Sequence, residues 1–229
     1  MSCIVLPFTN CQFVTVLADP PWPEQGGGKI KRGADRHYPL MKVSEIVAMG
    51  AEVHRITADN SHLWLWTTNT YLHDALHVMD AWGYEYKSVV CWKKNRIGLG
   101  QYLRGITEHC LFGVRGMVPY KVRADGKRAQ GVTHVEVPIQ GYIPAAPSVL
   151  AREARDRESG ILTPQDWRDA PEALPNYIEA PKQEHSHKPD RLREMVETVS
   201  TPPYLEMFAR YTQPRDGWSY WGNEAEVVT

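Results

Sequence analysis

The sequence predicts an α/β fold built on a mostly parallel sheet. Three observations carry that expectation. Short apolar runs rich in β-branched and aromatic residues recur along the chain. Stretches with apolar residues at helical spacing lie between them. The first run ends directly in a proline-rich polar segment, as a strand does at the carboxyl edge of such a sheet.

Phe13 to Ala18 (FVTVLA) reads as a buried strand ending at Asp19. Pro20 to Arg36 is a loop, dense in proline, glycine and cations. Ser44 is placed as the cap of a short helix running to about Met49, with Gly50 as its stop. Ser61 to Thr67 (SHLWLWT) is a second strand. Leu72, Ala75, Leu76, Met79 and Trp82 share one helical face between Tyr71 and Trp82, and Gly83 supplies the end. Lys87 to Trp92 and His109 to Val114 are further strands. Pro189 suits the first position of a helix to Val199, and Tyr204 to Arg210 (YLEMFAR) is the last clear strand. Met117 to Glu184 differs, being rich in Pro, Gly and mixed charge with weak periodicity. It is expected to be an insertion beside the active-site face of a single domain spanning 1–229. Arg152 to Glu158 can form a short solvated helix within it.

The chain of 229 residues has a formal net charge of −1 and a hydrophobic share of 42%. That is ample for a core but offers no global basic field for a polyanion. Any nucleic-acid site is therefore a local patch. No cation precedes the first apolar stretch, which argues against a secretory leader. No apolar run is long enough to span a membrane. The four cysteines form no CxxC pair, so reduced thiols in a cytoplasmic protein are expected.

The chemistry concentrates in Asp19-Pro20-Pro21-Trp22. Two adjacent prolines fix two φ angles and remove two N–H donors, and Pro20 pushes Asp19 out of the α region. The result is a stiff elbow presenting a carboxylate, carbonyl oxygens without a strand partner and an aromatic plane. An adenine amine is a poor nucleophile because its lone pair is delocalised into the ring. The Asp19 carboxylate and the Pro20 carbonyl can hold its two N–H bonds and draw it toward tetrahedral geometry, with positioning and oriented dipoles supplying most of the rate. Trp22 or Tyr38 can stack on the extruded base.

Other clusters have two readings. Lys29, Lys31, Arg32 and Arg36 follow the elbow, and Lys93, Lys94 and Arg96 follow the Cys91-Trp92 strand end. Each is either a solvated segment or a contact for nucleic-acid phosphates. Lys121, Arg123, Lys127 and Arg128 form a third cluster, in the insertion. His73 and His77 have metalloprotease spacing, but ordinary helical histidines are the better reading and no metal is expected. Trp64 and Trp66 read as packing residues. Gly26-Gly27-Gly28 reads as a flexible lid rather than a phosphate loop.

In sequence order the chain carries ADPPW (18–22), HYPLMKVSEI (37–46), LWLWTTN (63–69), AWGYEY (81–86), CWKKN (91–95), GQYLRGITEHCLFGVRG (100–116), HSHKPDRL (185–192), YLEMFAR (204–210) and GWSYWGNE (217–224). With these blocks in this order it resembles the β-class adenine methyltransferases related to the catalytic subunit of the eukaryotic messenger-RNA adenosine methyltransferase, in the bacterial and phage branch. The resemblance implies a Rossmann-like fold with permuted motif order, in which the catalytic loop precedes the cofactor strand. It implies S-adenosylmethionine as methyl donor and cofactor contacts at Asp19, His187, Lys188, Glu206, Arg210, Asn223 and Glu224. It also puts Glu108 near the target base. Lys188, before a helix N-terminus, suits the cofactor carboxylate, and Glu206 suits its ribose. The segment 117–184 departs from the family pattern and is a possible target-recognition region. Three readings follow: a DNA adenine methyltransferase, an RNA adenine methyltransferase, and a non-catalytic nucleic-acid-binding subunit.

Overall fold

The computed structural model describes residues 4–9, 12–23, 39–98, 102–117, 176–182, 187–209 and 215–222. They build an α/β fold. Its strands are β1 (Phe13–Ala18), β2 (Thr57–Thr68), β3 (Glu85–Lys93), β4 (Thr107–Arg115), β5 (Tyr177–Glu179), β6 (Tyr204–Met207) and β7 (Trp218–Trp221). Its helices are α1 (Val43–Ala48), α2 (Gly50–Ile56), α3 (Leu72–Ala81) and α4 (Asp190–Val199). The strands form one sheet in the order β5-β3-β4-β2-β1-β6-β7. The pairs β1–β2, β1–β6, β6–β7 and β3–β5 are parallel, and β4 runs antiparallel to β2 and β3. Because β4 is reversed, its first residues lie at the edge where β2 and β3 end. Glu108 pairs with Thr68 and with Trp92 there.

The chain divides into a unit of Met1–Arg128 with Tyr177–Thr229 and a second of Ala129–Asn176. All of the second unit except Asn176 is outside the described residues, as are the third basic cluster and the expected helix 152–158. Tyr177–Glu179, inside the segment 117–184, is a strand of the main sheet. These three residues of the segment thus belong to the sheet.

The alternation along β2 sorts its residues onto two faces. Leu63 and Leu65 join Ile46, Met49, Val53, Ile56, Val78, Met79 and Trp82 in the main core. The indole N–H of Trp82 donates to Ile46 O at 2.9 Å and ties α3 to α1. His62, Trp64 and Trp66 face the other side, where Ser200 Oγ accepts from Trp64 Nε1 at 3.0 Å and meets His62 Nδ1 at 2.9 Å. Trp64 and Trp66 are buried, as a packing role requires.

α3 ends as its sequence predicts. Gly83 has φ +81°, its N–H reaches Asp80 O at 2.9 Å, and the Tyr84 N–H reaches Met79 O at 3.0 Å, the paired bonds of a left-handed helix stop. The α1 boundaries differ from expectation. Lys42, not Ser44, precedes the helix, and its N–H is taken by the Glu45 carboxylate at 2.7 Å. Gly50 opens α2 instead of ending the run. A Cβ at Gly50 would lie 2.8 Å from Ala81 O, so the glycine serves a close approach of α2 to the end of α3. The strand expected over 204–210 stops at Met207, because Phe208 takes a left-handed φ of +63°.

Burial lowers the His62 imidazole to about 4. Unfolding returns it to an ordinary value near 6.5. The unfolded chain thus binds more protons between these two values, and stability rises with pH across that window. The contribution is complete above pH 6.5 and is lost as the pH falls to about 4; it amounts to about 3 kcal/mol. Thermal melts of His62→Gln are expected to show a flatter pH dependence in this window than the parent. An unchanged slope would assign the acid sensitivity to other groups.

Candidate active site

β1 lies between β2 and β6, both parallel to it. Asp19 therefore leaves the sheet at its carboxyl edge, flanked by the ends of two strands. Its N–H still bonds Met207 O at 3.3 Å. Pro20 and Pro21 cannot continue the ladder. The Trp22 N–H turns back onto Pro20 O at 2.8 Å, and Pro21 O accepts from the Met41 N–H at 2.9 Å. The elbow is thus pinned on both sides of its prolines. The Pro20 carbonyl is therefore not unpartnered, although a carbonyl oxygen has a second lone pair.

Trp22 is placed differently from the expectation of a ring offered to a base. It is 8% exposed. Its Nε1 donates to Trp66 O at 2.9 Å, and its ring stacks on Tyr71 at 5.6 Å and 12°. A large ring with its N–H satisfied gains most by burial, so Trp22 clamps the elbow onto β2 and the turn at Asn69–Tyr71.

A charged cluster surrounds Asp19. Lys188 Nζ donates to Asp19 Oδ2 at 2.6 Å and lies 3.7 Å from Glu108 Oε2. Lys94 pairs with the other oxygen of Glu108. The Lys188 ammonium also sits over the Trp66 ring at 5.4 Å. Desolvation lifts the Asp19 carboxyl above its ordinary value; Lys188 opposes this, and Glu108 and Glu206 reinforce it. The side chain nevertheless keeps 27% of its surface accessible, so it can meet a ligand. Burial also pushes the Glu108 carboxyl upward, but Lys188 and Lys94 outweigh it and the net position is below the ordinary value. Cys110 is nearby and buried. Desolvation, with the Asp19 charge adding to it, holds this thiol well above its ordinary range. It stays protonated and is no nucleophile.

The expected cofactor residues are partly gathered. Lys188 and His187 precede α4, and Glu206 lies on β6 close enough to raise Asp19. Both Glu206 oxygens accept from Arg193, Nε at 2.9 Å and an Nη at 2.8 Å. Arg193 also holds Asp190 at 2.7 Å. Sequence reasoning did not find Arg193. Its signal was an arginine adjoining the apolar stripe Leu192, Met195, Val196, where a buried guanidinium needs a carboxylate. Two acidic side chains and one lysine at a strand edge suit a ligand that carries an ammonium, a carboxylate and ribose hydroxyls. In donor chemistry the described residues therefore fit S-adenosylmethionine. Arg210, Asn223 and Glu224 lie outside the described residues, as do Tyr38, the cluster Lys29, Lys31, Arg32 and Arg36, and the glycines 26–28.

Lys93 and Lys94, expected at phosphates, are both engaged with carboxylates: Lys93 with Glu179 at 2.8 Å and Lys94 with Glu108. Adjacent strands bring these acids alongside, which the linear sequence does not show. His73 and His77 are exposed on α3. Among the described residues no group of three or more His, Cys, Asp or Glu side chains could hold a metal ion. No described helix is long and apolar enough to cross a membrane.

A seven-stranded mixed sheet with an acidic proline elbow at its carboxyl edge, ahead in sequence of the lysine before α4 and the glutamate of β6, defines a Rossmann-like methyltransferase fold with permuted motif order. The chain belongs to the MT-A70 family, whose profile matches residues 13–139 and 166–224. It is 29% identical over 128 residues to the type II methyltransferase M.MunI of a Mycoplasma species, covering 47% of this chain and 53% of that protein. It is 28% identical over 113 residues to the human N(6)-adenosine-methyltransferase catalytic subunit METTL3, covering 46% of this chain and 18% of the human protein. A probable rice N(6)-adenosine-methyltransferase of the MT-A70-like type matches at 23% over 228 residues, covering 95% of this chain and 24% of its own length. The chain thus spans about half of M.MunI and a smaller share of the other two.

Proposed function

We propose that this chain transfers a methyl group from S-adenosylmethionine to the exocyclic amine of adenine in DNA, after the base leaves the stack. The observation that carries the reading is the partly accessible Asp19 carboxylate at the end of β1, held by Lys188 at 2.6 Å and adjoining Pro20 in the chain. Bound S-adenosylmethionine supplies an electrophilic methyl on a sulfonium. Asp19 accepts one amine N–H and Pro20 O the other, which localises the nitrogen lone pair. Lys188 keeps Asp19 ionised against the desolvation around it. As the amine becomes substituted, its surplus proton passes to Asp19. Glu108 and Lys94 hold Lys188 within reach. The Asp19-Pro20-Pro21-Trp22 segment is intact, which favours catalysis over a purely binding role.

DNA is preferred because the type II methyltransferase is matched over more of its own length than the adenosine methyltransferases, whose names specify a ribonucleoside. RNA is the second reading, and those same adenosine methyltransferases support it. DNA and RNA oligonucleotides offered together at equal salt, with labelled cofactor, separate the two. Label in DNA is expected; label in RNA alone transfers the assignment to RNA.

The charge cluster also sets a pH dependence. Protonated Asp19 is only a weak, uncharged acceptor and cannot take up the surplus proton of the amine, so activity falls on the acid side as Asp19 titrates. Lys188 lowers that titration and Glu108 raises it. Lys188→Met is therefore expected to move the acid limb of the rate profile to higher pH, and Glu108→Gln to move it to lower pH. If both variants shift the limb in the same direction, Asp19 is not the group being titrated.

A further inference from the structure

The β3–β4 connection stands at the same edge as Asp19. Its ladder continues past the strand ends, with the Lys94 N–H on Ile106 O at 2.9 Å and the Gly98 N–H on Gly105 O at 2.6 Å. Beyond it, Tyr102 is 98% exposed and Leu103 86%, and Ile97, within it, is 66% exposed. Arg96 and Arg104 flank them, both exposed. Neither arginine has an ion-pair partner among the described residues, in contrast to Lys93 and Lys94. An aromatic and two aliphatic side chains on a hairpin gain nothing in water. Set between cations without an ion-pair partner among the described residues, and at the edge that carries the carboxylate site, they have the composition of a surface for stacked bases on a charged backbone.

The spacing agrees. At about 3.3 Å per residue the hairpin carries these side chains roughly 10–20 Å beyond Glu108. A strand with bases about 3.4 Å apart covers that distance in roughly three to six nucleotides. We propose that Tyr102 and Leu103 form a stacking platform for unpaired bases flanking the target adenine, with Arg96 and Arg104 on the neighbouring phosphates. This rests on the reading of a nucleic-acid methyltransferase and deepens it: the strand beside the target is bound unpaired from its complement. The single-strand mode follows because a ring can cover a base face only where no neighbouring base already does.

The test needs neither the recognition sequence nor turnover. The probe is a single-stranded deoxyadenosine-rich oligonucleotide with interspersed 5-iodo-deoxyuridine, compared with its duplex. Tyr102→Ala/Leu103→Ala is expected to weaken single-strand binding by about tenfold or more and to leave the salt dependence unchanged. Arg96→Gln/Arg104→Gln is expected to reduce the slope of log K against log salt by about 1.4, at about 0.7 per phosphate contact. Ultraviolet cross-linking is expected to map to Tyr102, with the duplex binding more weakly than the single strand. Unchanged affinity in the Tyr102/Leu103 variant overturns the proposal. So does a parent chain that self-associates through the tip, with the double variant monomeric and its oligonucleotide binding intact. Because no cofactor is present, failure of methyl transfer would count against the proposed function alone.

Discussion

Replacing Asp19 by asparagine is expected to cut the single-turnover rate of methyl transfer by about 10²–10³-fold, the loss typical of removing one oriented polar group from a reacting centre. The substitution preserves shape but removes the charge that Lys188 faces at 2.6 Å. Lys188 keeps its contact with Glu108 at 3.7 Å. The amide can still turn its oxygen toward an N–H, but as a weaker, uncharged acceptor. Rapid-quench measurement with labelled cofactor reads the rate directly. Calorimetry on the same variant separates cofactor affinity from chemistry. A rate within about threefold of the parent, a difference of under 1 kcal/mol, would mean that the amine is activated elsewhere.

Trp22→Ala carries the largest expected effect on stability. The ring is buried, stacked on Tyr71 and hydrogen-bonded to Trp66 O. Truncating a buried tryptophan costs about 3–5 kcal/mol. For a chain of this size each kcal/mol lowers the melting temperature by about 2–4 °C, so a drop of roughly 6–20 °C is expected. Trp22→Phe retains a ring against Tyr71 and loses the N–H bond, and should cost only about 1 kcal/mol more than repacking alone. If Trp22 instead served the target base, Trp22→Ala would melt like the parent and lose substrate affinity. Calorimetric melts of the three proteins distinguish these outcomes.

The elements legible in the sequence are those whose residues decide locally. β1 falls at its expected limits because FVTVLA is mostly apolar, with β-branched residues at Val14, Thr15 and Val16. α3 and its stop at Gly83 follow from helical spacing and one glycine. Features set by distant partners were not legible. Gly50 looks like a terminator until the end of α3 is seen against it. β5 and β7, of three and four residues, exist through their pairing with β3 and β6. The elbow itself was legible from its two prolines. The direction of Trp22 was not, since Trp66 O and Tyr71 lie tens of residues away in sequence. Likewise Lys188 was legible as a cation before a helix, whereas its ion pair with Asp19 joins residues 169 apart in the chain. Arg193 reads as an ordinary helical arginine until Glu206 is brought beside it.

The most direct test of the central claim is the identity of the methylated nucleoside. Adenine-containing DNA is incubated with the chain and cofactor bearing a trideuteromethyl group, digested to nucleosides and analysed by mass spectrometry. The account predicts trideuterated N6-methyldeoxyadenosine, lost in Asp19→Asn. A label on cytosine, on a ring nitrogen or on no nucleoside in DNA or RNA would contradict the role given to Asp19 and Pro20.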